Sequence, residues 1–240
     1  MHIIIPITSC KDETQSSSIP HVLIEVNHHI ALEYILSCFA DLSEIQYTYV
    51  FDKSMNQRFH LDHLTSTLTP NRNIVISDIH AQGPLCASLL AIDYLKDEEP
   101  IMIVNDRLFL TTRCSQILDW FTNNNCDAGF VCVNSIQPRL FHAKVSDNNS
   151  VIEVSNEPIS YQGIIGPYYF KHSCDFIQAA FKTVSTTSPM NNEYAIEPVF
   201  NTLILSQKKV NSYTIETDKY VFIDDQSKQI DFPTAPFLSV

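Results

Sequence analysis

Short apolar runs rich in β-branched residues alternate with stretches of helical spacing through the first hundred residues of the chain. Residues 2–7 form the first such run, which predicts a buried central strand rather than a half-exposed one. Residues 8–20 then carry Lys11, Asp12, Glu13 and the serines 16, 17 and 18, and stop at Pro20, which predicts a long surface loop. Loops of that length inside compact domains are commonly functional. Strands are expected at 22–26, 47–51 and 74–76. Ile30, Tyr34, Ile35, Cys38 and Phe39 predict a helix over 30–41, and further helices are expected around 59–68 and over 85–95, the latter opened by Pro84. The apolar strand 101–104 ends abruptly in Asn105-Asp106. This alternation is the pattern of a parallel α/β sheet, whose ligands gather at the carboxyl ends of the strands. Asp106 stands at such an end.

After residue 126 the pattern becomes β-rich, with strands expected at 127–134, 140–145, 151–154, 166–170 and 210–217. Asp147-Asn148-Asn149-Ser150 is a hairpin signal between two of them. Helices are expected over 174–184 and 194–205, and a last apolar run, 220–223, ends in Asp224-Asp225. The whole chain, 1–240, therefore reads as a single α/β domain, a three-layer Rossmann-like fold with a mixed, mostly parallel central sheet.

Composition narrows the partners. The chain has 240 residues, 15 Lys and Arg against 27 Asp and Glu, and a formal charge of −12. That balance argues against a nucleic-acid binder, which neutralises phosphates over a broad surface. An anionic ligand must instead be held locally, for example through a divalent cation. No apolar run reaches the roughly 20 residues of a membrane span. Seven cysteines without a CxxC pair predict neither a disulfide framework nor a structural zinc site, and point to a reducing, cytoplasmic setting. The opening before Cys10 resembles a lipoprotein cleavage box but lacks a basic region, and reads as the first strand. Only four glycines exist, Gly83, Gly129, Gly163 and Gly166, which excludes the Gly-rich phosphate cradles. His28-His29 and His60-x-x-His63 read as solvated histidines, since zinc would need a third ligand.

A rigidly held carboxylate after an apolar strand is a hard oxygen ligand that suits Mg²⁺, an ion that takes one or two carboxylates plus substrate phosphates. Asp106 and Asp224 are the two candidates. For each, the plain alternative is a cap or a solvated turn residue.

The order of these pieces resembles the sugar-phosphate nucleotidyltransferases of GT-A-like fold, closest to the short bacterial members of capsule and surface-polysaccharide synthesis. Pro20-His21-Val22-Leu23-Ile24 stands where that family has Pro-Lys-Pro-Leu-Ile. Gln82-Gly83-Pro84-Leu85 resembles the segment against which the nucleobase lies, and the run into Asn105-Asp106 resembles the strand of the metal aspartate. Gly163-Ile164-Ile165-Gly166-Pro167-Tyr168-Tyr169-Phe170 is similar to the strand bordering the sugar, and Asn191-Asn192-Glu193 to the segment whose Glu accepts sugar hydroxyls. The resemblance implies Mg²⁺-dependent transfer of a nucleotidyl group from a nucleoside triphosphate to a phosphorylated sugar-like acceptor. It implies a nucleotide-binding half at 1–125 and a sugar-binding half at 126–240. Asp106 and Asp224 would hold the metal, Thr8, Ser9, Gln82 and Gly83 the nucleotide, and Gly166 and Glu193 the acceptor.

The departures are as definite. The family's first loop carries two glycines and an arginine, whereas Thr8-Ser9-Cys10-Lys11-Asp12-Glu13 has neither, so Lys11 and His21 are the only stand-ins for its catalytic cations. The family's Glu-Lys segment is Asn156-Glu157. Removing one contact that stabilises charge on the phosphates costs about 10²–10³-fold in rate, roughly 2.7–4 kcal/mol. A catalytically weak or inactive homologue that binds a nucleotide or sugar nucleotide, or acts as a partner protein, is the first alternative. A GT-A glycosyltransferase is the second, though Asn105-Asp106-Arg107 lacks the Asp-x-Asp pair it would want.

Overall fold

The computed structural model describes residues 1–8 and 19–223. Along the chain, β1 (His2–Pro6) is followed by a 3-10 turn at His21–Leu23, the two-residue strands β2 (Glu25–Val26) and β3 (His29–Ile30), and α1 (Ala31–Ser37). Then come β4 (Gln46–Asp52), α2 (Lys53–Phe59), α3 (Leu61–Leu68), β5 (Arg72–Ser77), α4 (Gly83–Leu89), β6 (Ile101–Ile103), β7 (Leu108–Leu110) and α5 (Cys114–Asn123). The second half adds β8 (Ala128–Asn134), β9 (Phe141–Val145), β10 (Val151–Ser155), β11 (Gln162–Phe170), α6 (Ser173–Thr186), α7 (Pro198–Leu205), β12 (Val210–Ile215) and β13 (Tyr220–Phe222).

One sheet of nine strands carries the molecule, in the order β10-β9-β11-β6-β1-β4-β5, with β8 against β11 and β12 against β8. The strands β6, β1, β4 and β5 are parallel, and β11 enters antiparallel against β6. The sheet is thus mixed, with a parallel N-terminal half, as the sequence pattern predicts. Strand β11 changes neighbour along its length: Gly163 and Ile164 pair with β9, while Tyr168 to Phe170 pair with β6. Between those two stretches its register against β8 also shifts.

Alternation within the central strands produces the three layers. Ile3, Ile5 and Met102 face the core closed by α1, α2, α3 and α5, whereas Ile4, Ile101 and Ile103 face the core closed by α4, α6 and α7. All six side chains have no solvent exposure, and burying an aliphatic side chain of this size stabilises by about 1.5–3 kcal/mol. Such two-sided burial explains why β1 and β6 read as unbroken apolar runs.

Local departures from the sequence expectation have identifiable causes. The expected strand 22–26 is a 3-10 turn with a two-residue ladder behind it. The expected helix around 59–68 is present as α3, and an unanticipated helix, α2, precedes it, the two separated by His60 in the left-handed region at φ 53°. The helix expected from Tyr194 starts only at Pro198, because the backbone of Tyr194 is bonded across to Gln82 and Leu85. Strand β7 and helix α5 were not anticipated. Among the described residues, no helix is long and apolar enough to cross a membrane.

Candidate functional site

Parallel pairing of β1 with β6 sets Thr8 and Asp106 side by side beyond the carboxyl ends of their strands. The Thr8 backbone N–H donates to Asp106 Oδ2 at 2.9 Å, and the Thr8 hydroxyl lies 3.5 Å from the same oxygen. Asp106 is buried, with 5% of its surface exposed. Burial pushes its carboxyl above the usual range, and the Thr8 N–H, the Arg107 cation and His21 oppose that shift. A fixed, desolvated carboxylate of this kind gains most from a cation brought beside it.

Asp106 opens onto a cavity of about 320 Å³. Thr8, Asp106 and Arg107 form one part of its wall, Arg139 and Phe222 another, and Glu193 and Glu197 a third. Glu193 is carried on a tight turn. The N–H groups of Met190 and Glu193 donate to each other's carbonyls at 2.9 and 2.8 Å, and Asn191 and Asn192 between them hold φ of 49° and 65°. Two positive φ values in succession are what an Asn-Asn pair tolerates better than bulkier residues.

Glu197 accepts a 2.6 Å hydrogen bond from the Tyr168 hydroxyl. Burial pushes the Glu197 carboxyl up, and the Tyr168 hydroxyl pulls it partly back. Tyr168 itself, on β11, has 3% of its surface exposed, and burial beside Glu197 drives its phenol well above the ordinary value. This pair places a hydrogen-bonded carboxyl and phenol at the cavity wall.

Of the residues expected from the sequence, Thr8, Asp106 and Glu193 line the cavity, and His21 lies close enough for its charge to act on Asp106. Gln82 and Gly83 precede Pro84, which reaches the wall, but Gly83 itself is buried against the backbone of Tyr194: an added Cβ would come 2.8 Å from both N and O of that residue. Gly166, at φ 71°, lies at the register shift in β11, between Ile165 and Tyr168 of the wall. Ser9, Lys11 and Asp224 lie outside the described residues. Arg107, Arg139, Tyr168 and Glu197 also line the cavity; Arg107 directly follows the expected metal aspartate, Tyr168 lies in the segment similar to the strand bordering the sugar, and nothing in the spacing of Arg139 and Glu197 marks them. Among the described residues no group of three His, Cys, Asp or Glu side chains is arranged to hold a metal.

No model of a known protein family matches the chain, and no curated protein sequence matches it. Solved structures do. The nucleoside-diphosphate-sugar pyrophosphorylase of Vibrio cholerae RC9 is 16% identical, with a TM-score of 0.74 over 93% of this chain and 95% of that one. The inositol-1-phosphate CTP transferase of T. maritima is 9% identical, with a TM-score of 0.71 over 94% and 89%. HddC of Yersinia pseudotuberculosis is 11% identical, with a TM-score of 0.65 over 92% and 93%. This chain therefore has the mixed-sheet α/β fold of nucleotidyltransferase structures along nearly its whole length.

Proposed function

We propose that the protein transfers a nucleotidyl group from a nucleoside triphosphate to a sugar 1-phosphate or similar phosphorylated acceptor, with Mg²⁺, in the supply of surface-polysaccharide precursors. The observation that carries this reading is the pinned carboxylate of Asp106 at the strand-end cavity, in a fold shared with nucleotidyltransferase structures. In the reaction an acceptor phosphate oxygen attacks the α-phosphorus, a new P–O–P linkage forms, and the bond to the leaving pyrophosphate breaks.

Mg²⁺ fits the donor chemistry present, because the ion accepts one hard carboxylate with substrate phosphates and waters completing its shell. Asp106 would hold it, joined by Asp224, and the ion would neutralise charge on the phosphates. The chain's own residues have separate work. Thr8 keeps Asp106 in one orientation through its N–H, Arg107 and Arg139 supply cationic charge to the cavity, and Glu193 with Glu197 offers acceptors for hydroxyls. Gln82 and Gly83 support the nucleotide side, Gly166 the acceptor side, and Lys11, His21 and Ser9 stand in for the first loop.

A binding protein of low or absent activity is the second reading, favoured by the missing glycines and arginine at residues 8–13. Isothermal titration with CTP, UTP, ATP, GTP and dTTP plus Mg²⁺, repeated on Asp106→Ala, separates these outcomes. One nucleotide bound, and lost in the variant, supports a metal-triphosphate site; pyrophosphate release with sugar phosphates then distinguishes enzyme from binder. Silence with all five nucleotides, in a folded protein, defeats the enzyme reading and leaves a remodelled fold with another ligand or partner.

A further inference from the structure

Two guanidinium groups, those of Arg107 and Arg139, line the same cavity, and β7 and β13 tie their surroundings together. Arg139 lies with its cation 3.9 Å above the ring of Phe222, and its Nε donates to Gln137 Oε1 at 2.9 Å. Phe222 belongs to β13, whose register places it opposite Leu108 of β7, and the next residue, Ile223, donates its N–H to the carbonyl of Arg107 at 2.9 Å. The β7·β13 ribbon thus brings the aromatic support of Arg139 to within one residue of Arg107. Arg107 and Arg139 both line the cavity, together with Asp106 and Phe222.

The chemistry of this arrangement is specific. Stacking on an aromatic ring uses the face of a guanidinium, and the N–H donors in its plane keep their fit to phosphate oxygens. Fixing the group against a ring also lowers the rotamer entropy lost when it binds. In a chain of net charge −12, with carboxylates on the same cavity, an anion can enter only where cations are concentrated. The sequence of residues 8–13 supplies one lysine where the family it resembles carries an arginine and two glycines, so further positive charge must come from elsewhere on the cavity.

We propose that Arg139, stacked on Phe222, and Arg107 form a phosphate seat that takes over the anion-holding work of the missing first-loop arginine. The seat deepens the nucleotidyltransferase reading and rests on it for the identity of the ligand, which is either the triphosphate tail or the acceptor phosphate. Both offer the same chemistry, a tetrahedral, multiply charged oxyanion group.

The test is isothermal titration in EDTA with inorganic pyrophosphate, with glucose 1-phosphate and with the nucleoside triphosphates, on the wild-type protein and on Arg139→Gln, Arg139→Lys, Arg107→Gln and Phe222→Leu. Arg139 is exposed, so its variants are expected to melt as the wild type does. The seat predicts pyrophosphate binding that weakens about 10-fold or more in each Gln variant, in line with loss of a charge-assisted contact. A loss of about 2- to 5-fold is expected in Phe222→Leu, and partial recovery in Arg139→Lys. A matching loss for the triphosphate alone assigns the seat to the tail, and for glucose 1-phosphate alone to the acceptor. Absence of pyrophosphate binding by the wild type, or unchanged binding in Arg139→Gln, overturns the seat. Pyrophosphate binding that depends on Arg139, with no nucleotide bound even when Mg²⁺ is added, keeps the seat and overturns the reading it was built on.

Discussion

Replacing Gly83 with alanine is expected to destabilise the protein by about 2–4 kcal/mol and, at the same time, to move Glu193. Gly83 holds φ at +88°, a conformation that costs an L side chain about 1–2 kcal/mol. The added Cβ would stand 2.8 Å from the backbone N and O of Tyr194 and 2.9 Å from Cβ of Glu193. Backbone atoms cannot swing aside as the end of a flexible side chain can, so segments 82–85 and 193–194 must separate. What joins them is a pair of hydrogen bonds, Tyr194 N–H to the Gln82 carbonyl at 2.8 Å and Leu85 N–H to the Tyr194 carbonyl at 3.0 Å. Each is worth about 0.5–1.5 kcal/mol net. Urea unfolding followed by circular dichroism measures the loss as a lower midpoint at unchanged slope, and nucleotide and sugar-phosphate titrations on the same sample report the displacement of Glu193. A variant within about 0.5 kcal/mol of the wild type, the scatter of neutral surface changes, would refute the packing of these two segments and the account of how Glu193 is held at the cavity.

Further expectations concern the buried carboxyls and thiols. Asp106→Asn keeps an oxygen for the Thr8 N–H and removes a carboxyl that burial holds above its unfolded value; that carboxyl's contribution to stability is present below the unfolded value and lost as pH rises through the folded one. The variant should therefore melt higher at pH 7 by about 2–4 °C, the shift given by about 1 kcal/mol at this size, with a gain that shrinks in acid, while Mg²⁺-nucleotide binding is lost; a gain independent of pH would contradict this. Tyr168→Phe removes the only side-chain donor recorded for Glu197 among the described residues, which should cost about 1–3 kcal/mol. The Glu197 carboxyl should move further up, so the loss grows with rising pH, as denaturation at two pH values would show. Of the cysteines in the described residues, Cys86 and Cys174 are partly exposed and Cys38, Cys114, Cys126 and Cys132 are buried. Iodoacetamide followed by mass spectrometry should label the first two in the folded protein, and the buried four only after denaturation; early labelling of Cys132, whose thiol burial pushes far up, would contradict the core assignment.

The central strands were legible because two-sided burial writes itself as unbroken apolar runs, and Asp106 was legible because such a run stops there. The same local grammar lost α5, although Cys114, Ile117 and Phe121, all buried, stand on one helical face. It also overran the start of α7, since Tyr194 to Glu197 have the composition of a helix and are held out of one by bonds to Gln82 and Leu85. Gly83 was read for ligand approach, and its close neighbour in the fold is the backbone of Tyr194. Arg139 was invisible for a related reason. Its position depends on Phe222, and that pairing is made through β7 and β13 rather than through any spacing along the chain.

Strand β11 has a consequence for the order in which the molecule can be made. Ile101 of β6 finds its antiparallel partner only in Phe170 of β11, and Gly163 of β11 must meet His142 of β9. During synthesis the N-terminal parallel strands therefore emerge with one side of β6 open, and stay so until residue 170 has left the ribosome. An unpaired apolar strand edge is a template for association with other chains, and pairings this distant in sequence close slowly. The two halves of the chain are thus joined by a shared strand that completes both, and residues 1–125 made alone should aggregate rather than fold.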